Sequence, residues 1–203
     1  MHPYQAIWAV HTSAVFGGVG AWMNTDWYLA AMSYPEPPLA ACEKETLTAF
    51  LDYYRALMLD KAAGLDNEQL HQTLGPSTLT LGNLVHHLAL AEYYWFHETF
   101  AGGGPLEPWA GRVSGSDWEF SVAADLDTEV IVSRYIEACE RSRRIVDQAE
   151  SLDEVAVRES WGRSCSLRWI LIHMIEETAR HTGHADLIRE SIDGEIGDFR
   201  EVK

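Results

Sequence analysis

With 203 residues, 47% hydrophobic and 23% charged, the chain is long enough for one domain with a sizeable core and has an ordinary globular composition. Its net charge of −16, from 31 acidic against 15 basic residues, argues against nucleic acid as a partner, since the one basic cluster is the short "RSRR" at 141–144. Three cysteines (Cys42, Cys139 and Cys165) without CxxC spacing predict neither a disulfide framework nor a cysteine zinc site, and fit a reducing cytoplasm.

Residues 1–34 are apolar and aromatic, with Trp8, Trp22 and Trp27, and carry no Lys or Arg. They lack the basic start of a signal peptide, and polar and glycine breaks at 11–13 and 17–20 argue against a membrane-spanning helix. The expectation is an N-terminal extension, packed on the domain or a partner or else disordered, ahead of one domain over residues 35–203.

"YPEPPLAACEKE" opens that domain. Pro38 suits the first turn of a helix that continues to Ala63, with Leu39, Leu47, Phe50, Tyr54, Leu57 and Met58 at helical spacing and Gly64 as its stop. A second helix is predicted over 81–100, with Ser77, Thr78 or Thr80 as N-cap and "GGGP" as terminator. Residues 101–126 are rich in Gly, Pro and Trp and read as a long loop, a feature that is often functional. A third helix begins at Asp127 or Thr128 and carries Ile131, Tyr135, Cys139 and Val146. The last runs over 167–192, with Ser164 or Ser166 as N-cap and Asp193-Gly194 as its end. These four helices predict an all-α four-helix bundle with a long connection between the second and third helices.

The last helix holds "LIHMIEETARHTGHADLIRE" at 171–190. With Glu177 at zero and ~100° per residue, His181 falls at about +40°, His184 at about −20° and His173 at about −40°. Ile170 and Ile188 share that arc, so the four polar residues interrupt a core-facing stripe. A Glu and a His four residues apart present two metal ligands one turn from each other. Helices rich in Glu and His also form such pairs as local hydrogen bonds, so a site needs a third ligand from elsewhere.

The second helix supplies two histidines in "NLVHHLALAEYYWF". His86 and His87 point about 100° apart, and either one alone reads as a core histidine bonded to a neighbour. A di-iron bundle would need a Glu-x-x-His on each of two helices, and the single such spacing, Glu68–His71, lies in the turn after the first helix.

"LGNLVHHLALAEYYWF", followed some eighty residues on by "LRWILIHMIEETARHTGHADLIRESIDG", resembles the DinB/YfiT-like superfamily and is most similar to its mini-circle protein branch, over roughly residues 40–194. The resemblance implies a bundle of DinB type holding one divalent metal, zinc before nickel or iron. It places the ligands at His87, Glu177 and His181, the set used by the related mycothiol-dependent maleylpyruvate isomerases. His184 then falls beside the ligands, bonded to one of them or to substrate, and His173 packs one turn back. Residues 1–34 fall outside the resemblance.

The same resemblance implies a metal-dependent S-transferase or isomerase acting on a small-molecule substrate with a low-molecular-weight thiol such as mycothiol. Arg180, Asp186 and Arg189 are candidates for holding a polar cofactor, and Trp109 and Trp118 for walling the pocket. A homodimer, without nucleic acid or membrane, is the expected assembly. Metal-dependent hydrolysis and a non-catalytic metal-binding or stress-response role are the alternatives.

Overall fold

The computed structural model describes residues 36–112 and 118–196. The N-terminal extension expected over 1–34 lies outside the described residues. Helix α1 spans Glu43–Ala62, with Glu43 and Glu45 in its first turn, where carboxylates suit the positive end of the helix dipole. It starts later than Pro38. The residue before a proline is pushed toward extended backbone, so Glu36, Pro37 and Pro38 stay outside the helix.

The turn after α1 contains a four-residue helix, α2, Asn67–Leu70. It is held by a capping box in which Asp66 accepts from the Gln69 N–H and the Gln69 side chain accepts from the Asp66 N–H. Helix α3, Leu81–Glu92, is capped by the Thr80 hydroxyl, which accepts from the Asn83 N–H at 3.0 Å. It continues as a π-helical segment, Tyr93–Phe100, closed by the Ala101 N–H on the Phe96 carbonyl at 3.0 Å. Within that segment Tyr93, Trp95, Phe96, Thr99 and Phe100 are buried.

The predicted loop over 101–126 holds a 3₁₀ turn at Trp109–Gly111 and a six-residue helix, α4, Trp118–Ala123. Helix α5 spans Thr128–Gln148 and α6 spans Leu167–Asp193. Ser166 caps α6 by accepting from the Trp169 N–H, and Gly194 closes it at φ 81°, a left-handed conformation that glycine adopts freely.

The four long helices form an all-α bundle of DinB-like type. Helix α1 packs on α6, and α3 packs on α5. Helix α3 also touches α4 and α6, which places it at the centre of the site described below. One core cluster joins Leu84, Val85, Leu88, Ile131, Tyr135 and Ile188; a second joins Leu51, Phe96, Leu167, Ile170, Leu171 and Met174. Each large apolar side chain so buried contributes roughly 1.5–3 kcal/mol.

Polar ties fix the helix positions. The Arg55 guanidinium of α1 grips the Glu92 carboxylate of α3 with two hydrogen bonds, 2.8 and 2.6 Å, inside the core. The buried Lys61 ammonium meets Asp186 of α6 at 3.0 Å. Arg189 donates to the carbonyls of Lys61 and Ala63, both at 2.9 Å, and pairs with Asp193 and Glu195. Together these last two ties clamp the C-terminal end of α1 to α6. Among the described residues no helix is long and apolar enough to cross a membrane.

Candidate metal centre

Helices α3 and α6 bring His87, Glu177 and His181 together, with one ligand atom from each within 4.8 Å of the others. A single carboxylate oxygen, Glu177 Oε1, lies 3.0 Å from His87 Nε2 and 3.2 Å from His181 Nε2. The two rings meet edge to face at a centroid separation of 4.9 Å. Their side chains are 24% and 16% exposed, with Glu177 at 17%, so the group is shielded and still reachable from solvent. The four-residue step in α6 sets the Glu177–His181 spacing, and the contact of α3 with α6 supplies His87.

Two histidines and a carboxylate are an ordinary ligand set for zinc and for neighbouring divalent metals. The geometry fits such an ion in one further respect. Ring nitrogens and a carboxylate oxygen at hydrogen-bond distance need a proton or a cation between them.

In the metal-free protein protons fill those gaps. Burial alone would push the His87 imidazolium down. Hydrogen bonds to Glu119 and Glu177, with the charges of the same carboxylates, outweigh it and raise its pKa from 6.5 to about 9. The hydrogen bonds from His181 and then His87 hold the Glu177 carboxyl far below its ordinary range, against the opposing effect of burial.

Two opposed pH dependences follow. A raised folded-state pKa means that the His87 contribution to stability is fully present below about pH 6.5 and is lost as pH rises through about 9. Metal must displace that proton, so its affinity should rise about tenfold per pH unit from about pH 7 to about pH 8.5. Thermal melts of metal-free protein and chelator-competition titrations across that range measure the two slopes. Flat metal affinity would mean that His87 carries no competing proton.

The neighbouring side chains divide clearly. His184 is exposed and places its Nδ1 at 3.4 Å from His181 Nδ1. His173 turns away, its ring stacked on Trp169 at 5.0 Å and set edge-on to Trp95 at 4.8 Å. Trp161 joins this aromatic group from a tight turn at φ 51°, an uncommon conformation for so bulky a residue. Trp109 is buried against His86 at 5.0 Å, and Trp118 packs at the edge of the main core.

Arg180 is exposed and paired with Glu176, while Asp186 and Arg189 make the inter-helix ties described above. The other second-helix histidine, His86, is fully buried, and burial with the nearby Arg134 charge lowers its pKa to about 4. Its ring lies against Trp109 and 3.4 Å from the Arg134 guanidinium, and it is not part of the convergent ligand group.

Two contacts were not foreseen from sequence. Glu119 Oε1 lies 3.1 Å from His87 Nδ1, and the Phe120 ring lies over the His87 ring at 6.2 Å. Both belong to α4, whose six residues are too few to show helical periodicity.

A family model described as mycothiol-S-transferase matches residues 46–194. The chain belongs to this family. The matched span runs from the first turn of α1 to the glycine that closes α6, so the mycothiol-S-transferase match takes in every residue of the His/Glu/His cluster. Its DinB/YfiT-like character agrees with the bundle. A crystal structure of a conserved protein from Enterococcus faecalis is similar in fold, with a TM-score of 0.55 and 16% identity, over 77% of this chain and 100% of that one. No curated protein matches the chain.

Proposed function

We propose that this mycothiol-S-transferase family member is a metal-dependent enzyme that joins a low-molecular-weight thiol, mycothiol or a close analogue, to a small electrophilic substrate, or isomerises a substrate through such a thiol. The observation that carries the reading is the convergence of His87 Nε2, Glu177 Oε1 and His181 Nε2 within 4.8 Å, inside the span matched by the family model.

In this reading those three residues hold one divalent cation, with zinc the first choice and nickel or iron compatible with the same donors. A bound ion would supply Lewis acidity that favours loss of the thiol proton near neutral pH. The protein's own residues set the rest. Glu177 offsets positive charge and stays ionised through the working pH range. With Nε2 on the ion, a neutral His181 would carry its proton on Nδ1, which lies 3.4 Å from His184 Nδ1. Three protein ligands leave positions free, the arrangement of a catalytic centre more than a structural one.

Arg180 is the candidate basic side chain closest in sequence to the ligands and its exposure allows it to meet a polar cofactor. A cytoplasmic homodimer is the assembly we assign with this function.

The test is thermal stability of metal-loaded protein with mycothiol, bacillithiol and glutathione. A ligand at 100 times its dissociation constant stabilises by ~2.7 kcal/mol, which for a chain of this size raises the melting temperature by several degrees. Mycothiol should give the largest shift, and metal-stripped protein should give none. No shift with any thiol, alongside one tightly held metal, would favour metal-dependent hydrolysis.

A further inference from the structure

We propose that Glu119 is a positioning residue for the metal centre: it holds His87 in the tautomer and orientation that turn Nε2 toward the ion. The inference rests on the reading of His87, Glu177 and His181 as the ligands.

An imidazole has two ring nitrogens, and the two carboxylates divide them. Glu177 takes Nε2 at 3.0 Å and Glu119 takes Nδ1 at 3.1 Å. Neutral imidazole carries one proton, and a carboxylate at Nδ1 keeps the proton there. The lone pair is then on Nε2, the nitrogen that faces Glu177 and belongs to the ligand cluster. Metal-binding histidines are commonly oriented in this way, by a carboxylate or carbonyl on the nitrogen that does not bind, and the hydrogen bond also makes the ligand more basic.

Glu119 is well placed for this role and badly placed to be a ligand itself. It is absent from the group of ligand atoms that converge within 4.8 Å, because it approaches the far edge of the ring. Its side chain is 19% exposed, so the contact is partly shielded from water. Phe120, the next residue, lies nearly parallel to the His87 ring, with 24° between the planes. Helix α4 therefore fixes His87 at one edge and on one face. The charges also balance: Glu119 and Glu177 together match a divalent cation. Helix α4 thereby becomes part of the metal centre.

The experiment is zinc affinity by chelator competition for wild type, Glu119→Gln and Glu119→Ala, with ring-nitrogen NMR of His87 in the zinc-loaded proteins. Glu119→Ala should weaken zinc about 10- to 100-fold while keeping one site per chain. Glu119→Gln should recover part of that loss, because its amide oxygen still accepts from Nδ1–H. Wild-type spectra should show the proton on Nδ1. Recovery in the Gln variant and the tautomer signal separate positioning from a general folding defect, and the Gln variant carries the test if the Ala variant does not fold.

Zinc affinity within about twofold of wild type in both variants would overturn the proposal. So would zinc on Nδ1, or a loss as complete as that of a ligand variant, which would make Glu119 a ligand. Wild-type protein that binds no zinc would overturn the ligand reading and this inference with it. Wild-type binding with an indifferent Glu119 would overturn this inference alone.

Discussion

Glu177→Ala is expected to lower divalent-metal affinity by at least about 100-fold, the share of one ligand among three in a binding free energy of about 10 kcal/mol. Glu177 is the ligand with most to lose. Its Oε1 is the atom that both imidazoles face, at 3.0 and 3.2 Å, and it brings the one negative charge among the three converging groups. Without it, two neutral imidazoles remain, with one donor fewer and no anion in the group to offset the charge of the ion. His87→Ala and His181→Ala should each lower affinity comparably, and none of the three changes touches the apolar core. Metal content of the purified variants and chelator-competition titrations measure the effect. Retention of one metal per chain in Glu177→Ala would place the ion elsewhere.

The metal-free variant should also lose the pH dependence described above. With one of the two carboxylates gone, His87 keeps Glu119 alone, and its pKa should fall back toward 6.5.

The ligand pattern was legible because helix geometry is regular. Four-residue spacing in α6 places Glu177 and His181 on one face without any knowledge of the fold. Spacing could not decide between His86 and His87, since both lie in apolar surroundings; the family resemblance pointed to His87, and the packing of α3 on α6 brings that residue into the cluster. The helix ends were legible to within a few residues as local chemistry: Thr80 is one of three candidate caps, Ser166 one of two, and Gly194 closes the last helix.

What escaped was non-local or short. Glu119 reaches His87 across 32 positions of chain, from a helix of six residues. The role of Arg189 depends on two carbonyls at the end of α1, which no pattern in α6 records. His173 shares the ligand face in the helical projection, yet its ring stacks on Trp169, one turn back on α6, and meets Trp95, a partner that the packing of the helices supplies.

Glu92→Ala is the second large effect, and it bears on stability. It should destabilise the protein by about 3–5 kcal/mol, the penalty for stranding a buried charge, and lower the melting temperature by about 10 °C. Glu92 is completely buried and Arg55 is 3% exposed, so the guanidinium left behind has little water to turn to. Asp52, at 2.8 Å from Nη1, and the face of Phe96, 5.9 Å from the guanidinium carbon, would be its remaining partners. Nearby, burial, with the Glu92 charge behind it and the Arg55 charge opposing, pushes the Cys139 thiol far above its ordinary pKa, which disfavours the reactive thiolate.

Replacing both charges, as Arg55→Met with Glu92→Leu, should recover most of the loss, because a packed apolar pair needs no desolvation of ions. A Glu92→Ala melting temperature within about 2 °C of wild type would show that water or Asp52 satisfies Arg55 without its partner.

The central claim is that a thiol meets a metal held by His87, Glu177 and His181. Cobalt-substituted protein titrated with mycothiol tests it most directly, because sulfur bound to cobalt gives an absorption band that nitrogen and oxygen ligands do not. The account predicts that the band appears in wild type, saturates at one thiol per metal and is absent from Glu177→Ala. A cobalt-loaded wild-type protein whose spectrum is unchanged by mycothiol would contradict it.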